Sequence, residues 1–163
     1  MKKKSIKKKS KYNVDPSAEG KLRRTYKDVV YDSELEMKAY RDWIEPMLES
    51  GELTKVERQV QYTLQPRFTL NGKTYRPITY KSDFDLYYAN GDVWVIDIKG
   101  WIKPEDRMHE KMLRYNHRQI HFDFIGYSPI DGGWVPIDKI NKGRHERFDK
   151  RHKKGEQDEN SDE

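Results

Sequence analysis

Two Asn-Gly pairs, Asn71-Gly72 and Asn90-Gly91, constrain this chain more than any other feature of it. Asn-Gly favours the positive φ values that a tight hairpin requires, so each pair predicts a point where one β-strand folds back on the next. The surrounding residues, about 55–99, are rich in β-branched and aromatic side chains. The expectation is an antiparallel meander of three strands at about 56–70, 74–88 and 93–99. Irregularities are expected at Pro66 and Pro77, because proline cannot donate to a strand ladder.

Helices and one more strand frame the meander. Residues 32–49 read as a helix capped by Asp32 or Ser33, stopped at Ser50-Gly51 and kinked near Pro46. Pro104, Glu105 and Asp106 open a second helix running to about 118, since proline is tolerated in a first turn and acids suit its dipole. A strand at 120–127, a turn at 129–133 and a short strand at 134–137 follow. The order α-β-β-β-α-β predicts an α/β (α+β) domain with a mixed sheet flanked by helices.

Charge separates this core from its ends. Of 163 residues, 34% are hydrophobic and 37% charged, so one folded domain must coexist with polar segments. The first eleven residues hold seven lysines, 142–154 are net +5, and 155–163 carry five acids and no base. Within a total of +5, residues 12–141 are therefore net −2. The expected organisation is a basic arm without fixed structure at 1–25, a domain at 26–141, and a basic then acidic tail without fixed structure at 142–163. Such a lysine arm fits nucleic acid, and equally fits a solubilising end. With no cysteine, no apolar membrane span and no secretory leader, the expectation is a cytoplasmic protein without thiol chemistry or membrane attachment.

Several carboxylates resist a purely structural reading. On a helical wheel Glu36 falls in the middle of the apolar side formed by Leu35, Met37, Ala39, Tyr40, Trp43 and Ile44. A carboxylate aimed at a core is costly unless a cation, a proton or a hydrogen bond satisfies it. The strand Val93-Trp94-Val95-Ile96 is apolar on both faces, reads as central, and runs directly into Asp97-Ile98-Lys99. Alternation puts Asp97 and Lys99 on one face, and the second hairpin brings Asp83 or Asp85 alongside. A cluster of acids is best tolerated around a hard divalent cation, and oxygen donors suit Mg²⁺, with Mn²⁺ as a substitute. The candidate ligands are Glu36, Asp83, Asp97 and the Ile98 carbonyl, with Asp85 a rival to Asp83. Such an ion polarises a phosphoryl oxygen and acidifies a bound water, and Lys99 beside it would orient or deprotonate that water or neutralise charge on the phosphate.

These residues resemble the PD-(D/E)xK nuclease superfamily, whose restriction-endonuclease-like core has the same α-β-β-β-α-β order. More closely, the segments at 32–36, 78–84 and 95–100 resemble a family of small, mostly phage-encoded proteins of poorly defined function. The resemblance spans about 26–127. It implies that Glu36, Asp83, Asp97 and Lys99 are the catalytic set, and that DNA is cut by in-line attack of water to leave 5′-phosphate and 3′-hydroxyl ends. Relatives of this fold include Holliday-junction resolvases, so branched DNA in phage replication, recombination or packaging is the implied substrate, in the host cytoplasm if the chain is phage-encoded. Ser82 replaces the proline of the superfamily's name. Lys111 and Tyr115 have the spacing of a Gln-x-x-x-Tyr motif, with Lys in place of Gln.

On the second helix Arg107, Lys111, Arg114 and Arg118 follow i, i+4, i+7, i+11 spacing, a basic stripe suited either to DNA phosphates or to a solvated face. Paired cuts at a symmetric junction would be simplest for a homodimer. A non-catalytic nucleic-acid-binding module and a phage assembly or adaptor protein are the competing readings.

Overall fold

The computed structural model describes residues 14–159, and side chains through residue 151; the seven-lysine arm lies outside them. The chain divides into two compact units, Met1–Met47 and Leu48–Glu163.

In the N-terminal unit, Ser17 caps a short helix α1 (Ala18–Arg23) by accepting the Gly20 N–H. Part of the expected arm is therefore ordered. Strands β1 (Thr25–Tyr26) and β2 (Val29–Val30) form a small antiparallel hairpin, whose turn residues Lys27 and Asp28 both have positive φ. Helix α2 (Glu34–Ala39) starts at Ser33, so of the two candidate caps Ser33 does the capping. The helix passes through a π-helical stretch, Tyr40–Ile44, before α3 (Glu45–Glu49). Pro46 accounts for this stretch: it has no N–H for an i−4 bond, and the ladder widens upstream, where the Glu45 N–H reaches Tyr40 O.

The C-terminal unit is built on a five-stranded mixed sheet of β3 (Leu53–Arg58), β8 (Phe84–Tyr88), β9 (Val93–Ile98), β10 (His121–Ser128) and β11 (Gly133–Pro136). Their order is β11-β10-β9-β8-β3, so the apolar strand β9 is central, as its two-sided apolar pattern requires. Only the β9–β10 pair is parallel, which the intervening helix α4 (Pro104–Asn116) makes possible.

The first two meander strands are each broken in three. Between β3 and β8 the chain makes β4 (Gln61–Gln65) paired with β7 (Ile78–Lys81), then β5 (Phe68–Leu70) paired with β6 (Lys73–Tyr75). The four breaks fall at Gln59, which has positive φ, at Pro66, at Pro77 and at Ser82-Asp83. Asn71-Gly72 is the expected two-residue turn, with positive φ at both residues. Asn90-Gly91 is not. Tyr88 and Asp92 hydrogen-bond across a three-residue loop, and of its residues only Gly91 has positive φ.

Leu64, Tyr80, Val95, Leu113, Phe122, Phe124 and Ile137 form one buried cluster that joins this ribbon, the sheet and the helices. Helix α5 (Ile137–Glu159) docks on β10 where Gly126 leaves room: a Cβ there would come within 3.1 Å of both Ile137 and Ile140. The tail expected to lack structure is thus helical to Glu159. Two aliphatic anchors and the Arg147–Asp131 ion pair hold the start of α5, and its many Lys, Arg and Glu residues have high helix propensity. No described helix is long and apolar enough to cross a membrane.

Candidate active site

Asp97 sits at the end of the central strand, 5% exposed, on the face shared with Val95 and Phe124. A buried carboxylate needs partners, and it has two. Tyr80 donates its hydroxyl to Asp97 Oδ2 at 2.9 Å, and Lys99 Nζ lies 3.4 Å from Asp97 Oδ1. Lys99 also lies 3.7 Å from Asp106, the acid that closes the capping box of α4 by accepting the Lys103 N–H. Burial pulls the Lys99 pKa down, but the charges of Asp97, Asp106 and Asp83 outweigh it and the net shift is upward. These acids therefore favour the ammonium form of Lys99. Burial, and then the Asp97 charge, keep the Tyr80 hydroxyl protonated and able only to donate to Asp97.

The Asp83 and Asp85 carboxylates part company. Asp83 Oδ2 accepts the Ile98 N–H at 2.7 Å, which ties the start of β8 to the Asp97-Ile98-Lys99 segment. Asp85, fully buried, accepts the Ser82 hydroxyl at Oδ1, 2.6 Å away, and the Tyr62 hydroxyl at Oδ2. Burial raises the Asp85 pKa, while those two hydroxyls act to lower it. Asp85 thus pins the ribbon to the sheet, and Asp83 is the acid joined to the Asp97 segment. Ser82 is one of the two hydroxyls that satisfy Asp85.

Glu36 belongs to the N-terminal unit and is 6% exposed. Its Oε1 accepts the Ser33 hydroxyl at 2.9 Å while Ser33 Oγ accepts the Glu36 N–H, so the inward-facing acid takes part in capping its own helix. Among the described residues, no three His, Asp or Glu side chains gather as a group that could hold a metal ion. In the C-terminal unit the candidate oxygen donors are Asp83, whose carboxylate accepts the Ile98 N–H, Asp97, and the Ile98 carbonyl. These are hard oxygen donors, and Mg²⁺ is commonly held by one or two carboxylates with waters and substrate phosphate completing its shell, so the set fits that ion.

Half of the basic stripe is neutralised by carboxylates. Arg107 pairs with Glu110 and Asp138 and lies over the Phe124 ring, and Arg114 pairs with Glu110 and donates to Phe122 O at 2.6 Å. Lys111 is exposed on α4, whereas Arg118 lies beyond the helix, which is capped at His117, and sits over the Tyr115 ring. The sequence reading missed Tyr80 and the Asp106 contact. Alternation in β7 does turn Tyr80 inward, but nothing local says which acid its hydroxyl will meet.

These features define a mixed α/β domain with a buried acid paired to a half-buried lysine at the end of its central strand. The chain belongs to the DUF1064 family, described as a protein of unknown function, whose model matches residues 9–130. That match takes in Glu36, Asp83, Asp97 and Lys99. No curated protein matches the chain.

Proposed function

We propose that this protein is a metal-dependent endonuclease that hydrolyses phosphodiester bonds of DNA, with Asp83, Asp97 and Lys99 as its catalytic residues, on the pattern of the PD-(D/E)xK superfamily. The observation that carries the reading is the convergence of an acid and a cation, Asp97 and Lys99 at 3.4 Å, with Asp83 tied to the peptide between them. Asp83, Asp97 and the Ile98 carbonyl would hold Mg²⁺, or Mn²⁺ in its place. Bound there, the ion would polarise the scissile phosphate and supply an activated water. Asp97 is oriented by Tyr80, so its carboxylate presents a fixed oxygen. Lys99, kept protonated by three acids, answers the negative charge that grows on phosphate in the transition state. Branched DNA of phage replication, recombination or packaging is the substrate favoured by the superfamily resemblance.

The test uses labelled four-way junction, flap, single-strand and duplex DNA with Mg²⁺, Mn²⁺ or EDTA, beside Asp97→Ala. Metal-dependent cutting that the variant lacks, with its circular dichroism retained, supports the reading. Equal cutting by the variant removes the proposed site. Binding without cutting in every lane favours the non-catalytic module.

A further inference from the structure

Strands β5 and β6 form a two-stranded ribbon of their own. All twelve residues at 66–77 are exposed, among them three large apolar ones: Phe68 at 41%, Leu70 at 56% and Tyr75 at 37%. Exposed aromatic surface on a hairpin adds little to folding, so it calls for another use. Its charge points to one. From Arg58 to Lys81 the sequence carries five Lys or Arg and no Asp or Glu, although the body of the chain is net negative. Arg107, Arg114 and Arg147 spend their charge on carboxylates, yet no described carboxylate pairs with Arg67, Lys73 or Arg76.

Register sorts the ribbon into two faces. Phe68 lies opposite Tyr75 and Leu70 opposite Lys73, while Thr69 and Thr74 share the other side. The two rings stack at 4.6 Å, nearly parallel, with Lys73 Nζ 5.1 Å from the Tyr75 centroid. Aromatic faces beside unpaired cations are what a single-stranded nucleic acid requires, since its bases stack on rings and its phosphates take the charge. The ribbon rises from β8 and the Ser82-Asp83 break, so a strand held on it is delivered to the chain segment that carries Asp83.

We infer that the 66–77 ribbon is a binding arm for unpaired nucleic-acid strand, with Phe68 and Tyr75 stacking on bases and Arg67, Lys73 and Arg76 on phosphates. The inference shares its ligand class with the proposed function but concerns binding alone, and it is tested in EDTA so that loss of cleavage cannot imitate its failure.

The full chain is titrated with fluorescein-labelled oligothymidine and with a blunt duplex of the same length over a range of salt. Phe68→Ala/Tyr75→Ala is expected to weaken oligothymidine binding about tenfold and duplex binding less than twofold. Arg67→Gln/Lys73→Gln/Arg76→Gln is expected to lower the slope of log K against log salt by about 2, at roughly 0.7 per lost phosphate contact. Because every substituted side chain is exposed, melting temperatures should stay unchanged. Unchanged affinity and slope overturn the inference. So does equal weakening on the duplex, or a ring variant that only turns a dimer into a monomer, which would make the rings a self-association surface.

Discussion

The Tyr80 hydroxyl donates to Asp97 Oδ2 at 2.9 Å from a strand outside the main sheet, and so makes the β4–β7 ribbon part of the support for the proposed catalytic acid. The ring is itself packed edge-on against Phe122, which fixes the donor. Tyr80→Phe keeps that packing and removes only the oxygen. Asp97 then loses an orienting bond in a buried setting, at a cost of about 1–2 kcal/mol in stability. Cleavage is expected to fall about tenfold or more, with a higher Mg²⁺ requirement, as for other lost supports of a metal ligand. Activity against Mg²⁺ concentration, beside urea unfolding, checks this, and an unchanged Mg²⁺ profile would mean that Tyr80 only fills space.

Lys99 faces Asp97 at 3.4 Å and Asp106 at 3.7 Å. Lys99→Met keeps most of the aliphatic stem and removes the cation. The expected outcome is a loss of cleavage of about a hundredfold or more, with junction binding changed only a few-fold, because the charge is needed most in the transition state. Single-turnover rates at saturating enzyme separate the two. A variant that cuts normally would leave Lys99 a structural ion pair.

Asp131 gives the fold an acid-sensitive joint. Hydrogen bonds from Arg147 of α5 and from Ser128, with the Arg147 charge, depress its pKa to about 2. A carboxylate with a depressed folded-state pKa adds stability that is complete above its unfolded value of about 3.9 and lost as pH falls toward about 2. The melting-temperature gap between the wild type and Asp131→Asn should therefore be constant from pH 7 to about 5 and close between about pH 4 and 2. A gap independent of pH would show that Asp131 is not the group responsible.

Gly143 lies within helix α5 where helix propensity alone would favour alanine. A Cβ there would meet Asp131 Oδ1 at 2.5 Å and Arg147 Nη1 at 3.0 Å, and these two side chains are locked to each other. Gly143→Ala should lower the melting temperature in the wild type, at a cost of about 1–3 kcal/mol. In an Asp131→Ala background the same change should raise it, by up to about 1 kcal/mol. The double-mutant cycle tests this, and additive effects would sink the steric account.

What the sequence determined by itself was local or periodic. The Asn71-Gly72 turn, the start of α4 at Pro104, the centrality of β9 and the shared face of Asp97 and Lys99 follow from turn chemistry, capping and two-residue alternation, which act over a few residues. The tertiary structure decided whatever depends on which distant groups meet. It sent Asp85 to Ser82 and Tyr62, tied Asp83 to the Ile98 N–H, gave Asp97 its tyrosine, and paired Arg107 with Asp138 of α5, a carboxylate that a helical wheel of α4 alone does not weigh. It also ordered a charged tail into α5, because two isoleucines and one ion pair could anchor a segment whose own composition buries almost nothing. The physical reason is common to all of these. A hydrogen bond or ion pair between strands far apart in sequence depends on register and break points, and those are set by how the whole sheet packs.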